Sequence, residues 1–303
     1  MKRPTPLSPG ARVALIAPSG PVPEDRLEPA AESVRALGLE PVVYESCRAR
    51  HGYLAGEDSL RAQDLNRAFA DPSIQGILCI RGGYGAQRFL HQVHWEEIAR
   101  TPKFFAGYSD VTALHTALTQ RCGFCTYHTP MPSTEWYEGL DGFTMASLRG
   151  VLFGEQAPLE NPPGIPLQTL APGTAEGELT GGNLSLVSSS LGTPWEIDTR
   201  GKILFLEDVD EAPYRVDGML THLRNGGKLQ DCAGIVLGHW EKCGVPEGKD
   251  SLTLEQIFRE LLAPLGKPVL MGLACGHCLP TLSLELGGRC RLDASARTLT
   301  MLP

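Results

Sequence analysis

Apolar and polar positions follow two different rhythms along this chain. In the first half, short apolar runs of β type are separated by stretches with helical spacing. Arg12 to Ala17 (RVALIA) is such a run and ends in the turn Pro18-Ser19-Gly20. Glu24 to Leu37 carries a helical pattern closed by Gly38, and Glu40 to Tyr44 resumes as a strand. Ser59 to Phe69 is helical again, with Leu60, Leu65 and Phe69 on one side and Asp71-Pro72 as the stop. Gly76 to Ile80 is a third strand and runs into Arg81-Gly82-Gly83-Tyr84-Gly85. Gln87 to Leu90 begins another helix, and Lys103 to Ala106 gives a fourth strand. Strands alternating with helices predict a mostly parallel sheet covered on both faces.

The rhythm changes after about residue 150. Gly154 to Gly173 holds five prolines and little periodicity, which reads as a connection between domains. Beyond it come short, glycine-bounded strands at Glu178–Leu184, Gly201–Glu207, Gly234–Gly238, Pro268–Leu270 and Thr281–Leu286. Helical pieces interrupt them at Tyr214–Leu223 and Leu254–Leu262. The expected fold is α/β: an N-terminal parallel-sheet domain over 1–153, a linker over 154–176, and a smaller β-rich C-terminal domain over 177–303.

A chain of 303 residues, 42% hydrophobic and 20% charged, has core material for two such domains. Its formal charge of -8, with no compensating basic cluster, argues against nucleic acid as a partner. An anionic small substrate stays open, because a single arginine can act inside an acidic protein. Met1-Lys2-Arg3 is followed by Pro4, Pro6 and Pro9 rather than by an apolar segment, and no run approaches membrane-spanning length. The expectation is a cytoplasmic protein with no membrane partner. Nine scattered cysteines do not form a disulfide framework. Cys122-x-x-Cys125 and Cys275-x-x-Cys278 have zinc-ligand spacing, but the pairs lie far apart in sequence and among apolar residues. They read as buried thiols in a reducing compartment, with no metal and no cofactor expected.

The chemistry concentrates in Phe104-Phe105-Ala106-Gly107-Tyr108-Ser109-Asp110-Val111-Thr112-Ala113-Leu114. It reads as a strand end, a glycine-assisted turn, one serine and a helix start. Active sites of open α/β folds lie at such carboxyl ends of strands, and the first helical turn offers unpaired N–H groups. Ser109 is either a nucleophile or a helix cap. The segment leaves both readings open, since G-Y-S-D lacks the G-x-S-x-G pattern. The loop Arg81–Gly85 has three glycines in four positions, suited to presenting backbone N–H groups. It is not a dinucleotide fingerprint, so an oxyanion role outranks a nucleotide role. A serine nucleophile needs an imidazole held by an acceptor. His277, in Leu273-Ala274-Cys275-Gly276-His277-Cys278, follows a strand and stands out. His115 is nearly two turns past Ser109, a poor direct base. His91, His94 and His222 read as surface residues, while His128 and His239 sit near strand ends. Glu207 closes the apolar run Ile203–Leu206, where a carboxylate is costly unless paired. Asp208, Asp210 and Glu211 follow closely, and spacing alone does not choose among the four.

The chain resembles the LD-carboxypeptidase family of serine peptidases, which includes murein tetrapeptide carboxypeptidases and related microcin-immunity hydrolases. The resemblance runs through Ala17-Pro18-Ser19, Gly52-Tyr53-Leu54-Ala55-Gly56, Arg61…Asp64-Leu65, Arg81–Gly85, Gly107–Leu114 and His128-Thr129-Pro130-Met131. It continues in Gly181-Gly182-Asn183-Leu184, Leu206-Glu207-Asp208, Pro213-Tyr214-Arg215-Val216-Asp217 and Gly276-His277. It implies a triad of Ser109 as nucleophile, Glu207 as orienting carboxylate and His277 as general base, with the serine in the first domain, the other two in the second, and the site in a groove between them. It also implies an oxyanion hole from the backbone of Asp110 and Gly83, and a homodimer.

The implied reaction is cleavage of the L,D peptide bond before the terminal D-alanine of murein tetrapeptides, as in cell-wall recycling. Such a carboxypeptidase needs an anchor for the substrate's terminal carboxylate. Arg81, beside Gly82, is the candidate, with a salt bridge under the glycine loop as its structural alternative. Gly218 stands where the family's YRVD segment commonly continues with arginine, and Leu284-Glu285-Leu286-Gly287 replaces a more usual proline-containing strand. The second reading is an immunity-type hydrolase acting on peptidyl- or aminoacyl-nucleotide antibiotics, for which Trp136, Trp195 or Trp240 would stack on a base. A binding protein that shares only the α/β alternation is disfavoured by the missing pyrophosphate loop and signal peptide.

Overall fold

Strand β1 (Arg12–Ile16) is apolar after its first residue, and its last four positions are buried. A strand apolar on both faces belongs inside a parallel sheet. β1 lies between β2 (Glu40–Val43) and β3 (Gly76–Cys79), parallel to both. β4 (Phe104–Gly107) and β5 (Thr126–His128) extend the sheet in parallel, so the order is β2-β1-β3-β4-β5. The direction of strand addition reverses between β1 and β3. Ligands of open α/β sheets bind beyond the carboxyl ends of strands at such a reversal. The loops there are Pro18-Ser19-Gly20 and Arg81–Gly85.

The computed structural model describes residues 1–155 and 159–303. The first of its two units comprises Met1–Ala157 and Ser283–Glu285. Helices α1 (Glu24–Ala36), α2 (Asp58–Ala70), α3 (Trp95–Arg100), α4 (Thr112–Ala117) and α5 (Gly142–Phe153) belong to it. Leu148 and Leu152 of α5 join Val13, Leu15, Phe104 and Tyr127 in its core. Tyr127 stacks on Phe104 at 4.3 Å between ring centroids.

The second unit comprises Pro158–Leu282 and Leu286–Pro303. Its seven-stranded sheet starts from β6 (Gln168–Ala171), which runs antiparallel to β10 (Val269–Met271). β7 (Thr174–Asn183), β8 (Ile203–Val209), β9 (Gly234–Glu241) and β10 form a parallel centre. Helices α6 (Leu184–Ser189), α7 (Pro213–Asn225), α8 (Lys228–Asp231) and α9 (Leu254–Leu261) cover it. Leu204, Leu206, Ile235 and Leu237 of the sheet pack with Val187, Val216, Leu220 and Phe258 of the helices. This unit is the expected smaller, β-rich C-terminal domain, with seven strands in its sheet against six in the first.

Three local expectations change. Leu284–Leu286, read as a strand of the second domain, is β11 and pairs beside β5 on the edge of the first sheet. The Ser283 amide donates to Ser147 Oγ at 2.9 Å and Arg3 pairs with Glu285 at 2.7 Å, which fixes it there. The strands β12 (Arg289–Asp293) and β13 (Thr298–Met301) form an antiparallel hairpin that the sequence reading did not pick out. The linker read over 154–176 contains β6, while its residues 156–158 lie outside the described residues. Among the described residues no helix is long and apolar enough to cross a membrane.

Asn161, within that same stretch, also has a structural task. Its Nδ2 donates to the carbonyls of Gly272 at 2.7 Å and Ile165 at 3.0 Å, and its Oδ1 accepts from the Ala274 amide at 2.8 Å. One side chain thus holds the segment that follows β10. Asn161→Ala should cost about 2 kcal/mol of unfolding free energy, read from urea melts. An unchanged midpoint would show that the segment is held by other contacts.

Candidate active site

β4 ends at Gly107, Tyr108 is extended (φ -154°, ψ -169°), and Ser109 turns to φ 66° before one 3-10 turn leads into α4. A serine in left-handed backbone costs roughly 1–2 kcal/mol and persists where its surroundings hold it. The hold comes from its neighbour. The buried Asp110 carboxylate accepts from Ser19 Oγ at 2.6 Å, from the Ala86 amide at 2.7 Å and from the Gly85 amide. One carboxylate thereby ties together the loops after β1, β3 and β4. Burial pushes the Asp110 carboxyl up from the usual range, while these donors and the nearby Arg61 pull it back down.

Arg61 of α2 lies beneath the same loops and is fully buried. Its Nη1 donates to Pro18 O at 2.6 Å and to Gly85 O at 2.8 Å, its Nη2 pairs with Asp58, and its guanidinium sits over the Phe89 ring. The salt bridge under the glycine loop, considered for Arg81, is made by Arg61 instead. Arg61 faces inward on the helix side that carries Leu65, a charged position on an apolar face, and that was the available signal for its role.

The glycine loop is pressed against the serine. A Cβ on Gly82 would sit 2.9 Å from Ser109 Cβ and 3.1 Å from its Oγ, so only glycine fits. The Gly20 amide donates to Gly82 O at 3.0 Å, joining the loops across the strand-order reversal. The Asp110 amide opens the helical turn, where N–H groups lack intrahelical partners. Arg81 is half-buried beside Gly20 and donates from Nη1 to Pro21 O at 2.8 Å. Among the described residues it has no carboxylate partner. Burial lowers its pKa, with Arg26 and Arg50 adding like charge.

In the second unit, the fully buried Glu207 lies on β8 where the pairing with β9 shifts register between Leu206 and Asp208. Such a bulge re-aims a side chain. Glu207 Oε2 accepts from His277 Nδ1 at 2.7 Å. Gly276 allows the approach: it has φ 119°, and a Cβ there would come within 2.6 Å of Glu207 Oε2. A carboxylate only accepts, so Nδ1 carries the proton and Nε2 is left with a lone pair. Among the four acids considered, Glu207 makes the contact. Asp208 instead accepts from Asn183 Nδ2 at 2.8 Å and from the Ser185 amide at 2.9 Å, fixing the start of α6. Glu211 pairs with Arg215, and Asp210 is a left-handed turn residue.

The remaining candidates have structural places. His239 pairs with Glu241 at 3.0 Å, His94 with Glu97 at 3.4 Å, and His128 packs edge-on to Tyr108. Trp136 is in the core of the first unit, and Trp240 packs on Phe258 in the second. The nine cysteines are unbridged, and all except Cys278 are buried. Burial pushes both Cys122 and Cys278 to about 11, far from thiolate-forming values.

Residues 13–129 match the LD-carboxypeptidase N-terminal domain, and residues 176–292 match the LD-carboxypeptidase C-terminal domain. A probable murein peptide carboxypeptidase of Bacillus subtilis (strain 168) is 42% identical over 98% of this chain and 93% of its own length. The crystal structure of a muramoyltetrapeptide carboxypeptidase from Oxalobacter formigenes is 30% identical, with a TM-score of 0.83 over 96% of this chain and 98% of that one. The microcin C7 self-immunity protein MccF shares the fold at 23% identity, with a TM-score of 0.89 over 99% and 98% of the two chains.

His115 supports Ser109 from behind. Its Nε2 donates to Gly107 O at 2.8 Å, and Nδ1 accepts from the Thr126 hydroxyl at 2.9 Å. Burial lowers its pKa from 6.5 to about 4. The folded state therefore binds fewer protons than the unfolded state between these values. The stability that neutral His115 supplies is complete above pH 6.5 and is lost as pH falls toward 4, by about 3 kcal/mol in all. Urea unfolding from pH 7 to pH 4 should show this slope, and His115→Gln should flatten it. An equal slope in the variant would place the acid sensitivity elsewhere.

Proposed function

The chain belongs to the LD-carboxypeptidase family, and from that premise we propose that it hydrolyses the L,D peptide bond before the terminal D-alanine of murein tetrapeptides, with Ser109, His277 and Glu207 as nucleophile, base and orienting acid. The family is one of serine-type carboxypeptidases acting on murein-type peptides. The observation that carries the residue assignment is the 2.7 Å bond from His277 Nδ1 to buried Glu207, which fixes the tautomer a general base needs. Ser109 supplies the complementary feature, a nucleophile-type turn at the end of a parallel strand.

In this reading His277 Nε2 takes the Ser109 hydroxyl proton as Oγ bonds to the peptide carbonyl carbon. The resulting oxyanion is met by the backbone N–H groups of Gly83 and Asp110. The C–N bond then breaks, and His277 returns its proton to the leaving D-alanine nitrogen. Water, deprotonated by the same imidazole, releases the shortened peptide. Glu207 accepts from His277 Nδ1 and so holds the imidazolium that forms between these steps. Arg81, with no carboxylate partner among the described residues, receives the terminal carboxylate of the substrate. The immunity-type alternative loses support at Trp136, which is packed into the core of the first unit. A cytoplasmic location belongs to the same reading, supported by nine unbridged cysteines. A homodimer rests on the family resemblance alone.

D-alanine release from a murein tetrapeptide should be readily measurable with the parent protein and fall at least about a thousandfold in Ser109→Ala. Release by a well-folded Ser109→Ala protein at the parental rate would remove Ser109 from the chemistry. No release by either protein would remove this substrate. Arg81→Ala should raise KM about tenfold or more with a smaller change in kcat, since it removes a charge-assisted contact. An unchanged KM would leave Arg81 as a support of the Pro21 turn.

A further inference from the structure

Two tyrosines stand at the rim of the catalytic loop with nothing in the fold to explain their exposure. Tyr53 is 67% exposed and Tyr84 55%, yet their rings meet edge to face with centroids 5.8 Å apart. Tyr84 directly follows Gly83. Tyr53 belongs to a loop closed by reciprocal hydrogen bonds between His51 and Leu54 and tied to Ser19 O by the Ala55 amide at 2.9 Å. Buried Leu54, next to Tyr53, fills the space left by Gly85, where a Cβ would come within 2.5 Å of its Cδ2. Arg61 fills the remainder, since the same Cβ would lie 2.9 Å from its Nη1. With Leu54 directed inward, both tyrosines turn outward on loops that are themselves held by buried contacts.

Four residues after Tyr84, Arg88 donates from Nε to Asp58 Oδ1 at 2.9 Å. Aromatic faces flanked by a planar ion pair suit a flat ligand with C–H faces and hydroxyl edges. We propose that Tyr53 and Tyr84 form a subsite for the sugar ring of a muramyl-peptide substrate, with Arg88 and Asp58 at its hydroxyl edge. The proposal rests on the carboxypeptidase reading above. The stem residues beyond the scissile bond are short or charged, so the saturated pyranose is the one rigid group with extended C–H faces. Three extended residues separate it from the scissile carbonyl, roughly 10 Å. Tyr84 starts about 3.8 Å from Gly83 at its Cα, and its ring centroid lies 5.8 Å from that of Tyr53.

The test compares kcat/KM for N-acetylmuramyl-tetrapeptide with that for the free tetrapeptide, in the parent, Tyr53→Ala, Tyr84→Ala and Tyr84→Phe. The ratio of sugar-bearing to free substrate should fall about five- to tenfold in the alanine variants and be retained in Tyr84→Phe. A ratio within twofold of the parent in both alanine variants overturns the subsite, even if both substrates slow together, which would mark the rings as loop supports. If the parent cleaves neither substrate, the carboxypeptidase reading fails by itself. Calorimetry with muramyl dipeptide, which lacks the scissile bond, then decides the subsite. A five- to tenfold weaker Kd in Tyr84→Ala upholds it, and equal affinity or no binding by the parent overturns it.

Discussion

The first unit depends on one buried carboxylate. Asp110 accepts from Ser19, Gly85 and Ala86, and so binds the loops that follow β1, β3 and β4 into one body. Its backbone is also the residue after Ser109, so the same contacts that anchor the side chain hold the serine at φ 66°. An unsatisfied carboxylate here would be costly to bury, and its partners come from two loops, those after β1 and β3. Arg61 completes the arrangement from below, donating to the carbonyls of Pro18 and Gly85. The strain at one residue is offset by a network that fixes the whole strand-end surface.

The second unit solves a similar problem with a bulge and a glycine. Glu207 sits at the register shift between β8 and β9, and Gly276 lets the following loop close on its carboxylate. The result fixes the His277 tautomer without using the neighbouring acids, of which Asp208 holds the start of α6, Glu211 pairs with Arg215 and Asp210 makes a turn. Asn161 then restrains the other end of that loop by two hydrogen bonds, to Gly272 O and from the Ala274 amide. In both units an acidic side chain that looks catalytic by type, Asp110 in the first and Asp208 in the second, is a device for holding backbone.

Much of this was legible in the residues. The alternation of apolar runs and helical spacing located β1 to β4 with their intervening helices, because fully buried parallel strands leave a dense apolar signature. Ser109, Glu207 and His277 were each visible as polar residues at the ends of such runs. Spacing alone left Glu207 among four acids, since the choice depends on a bulge that no local pattern encodes. β12 and β13 were missed because their alternation is short and divided by a turn. β11 was assigned to the wrong sheet, because strand pairing is decided by distant contacts such as Arg3 with Glu285. Arg61 shows in the sequence as a charge on the apolar face of α2. Its contacts with Pro18 and Gly85 depend on the packing of distant loops, as does the lack of an acidic partner for Arg81 among the described residues.

The central claim is that the fold has made one serine nucleophilic. Intact-mass and peptide mass spectrometry after treatment with a fluorophosphonate reads that directly. The account predicts a single adduct per chain, on Ser109, formed faster than on any other hydroxyl and absent from Ser109→Ala. A folded protein that takes up no label, or takes it up on another residue, would contradict it.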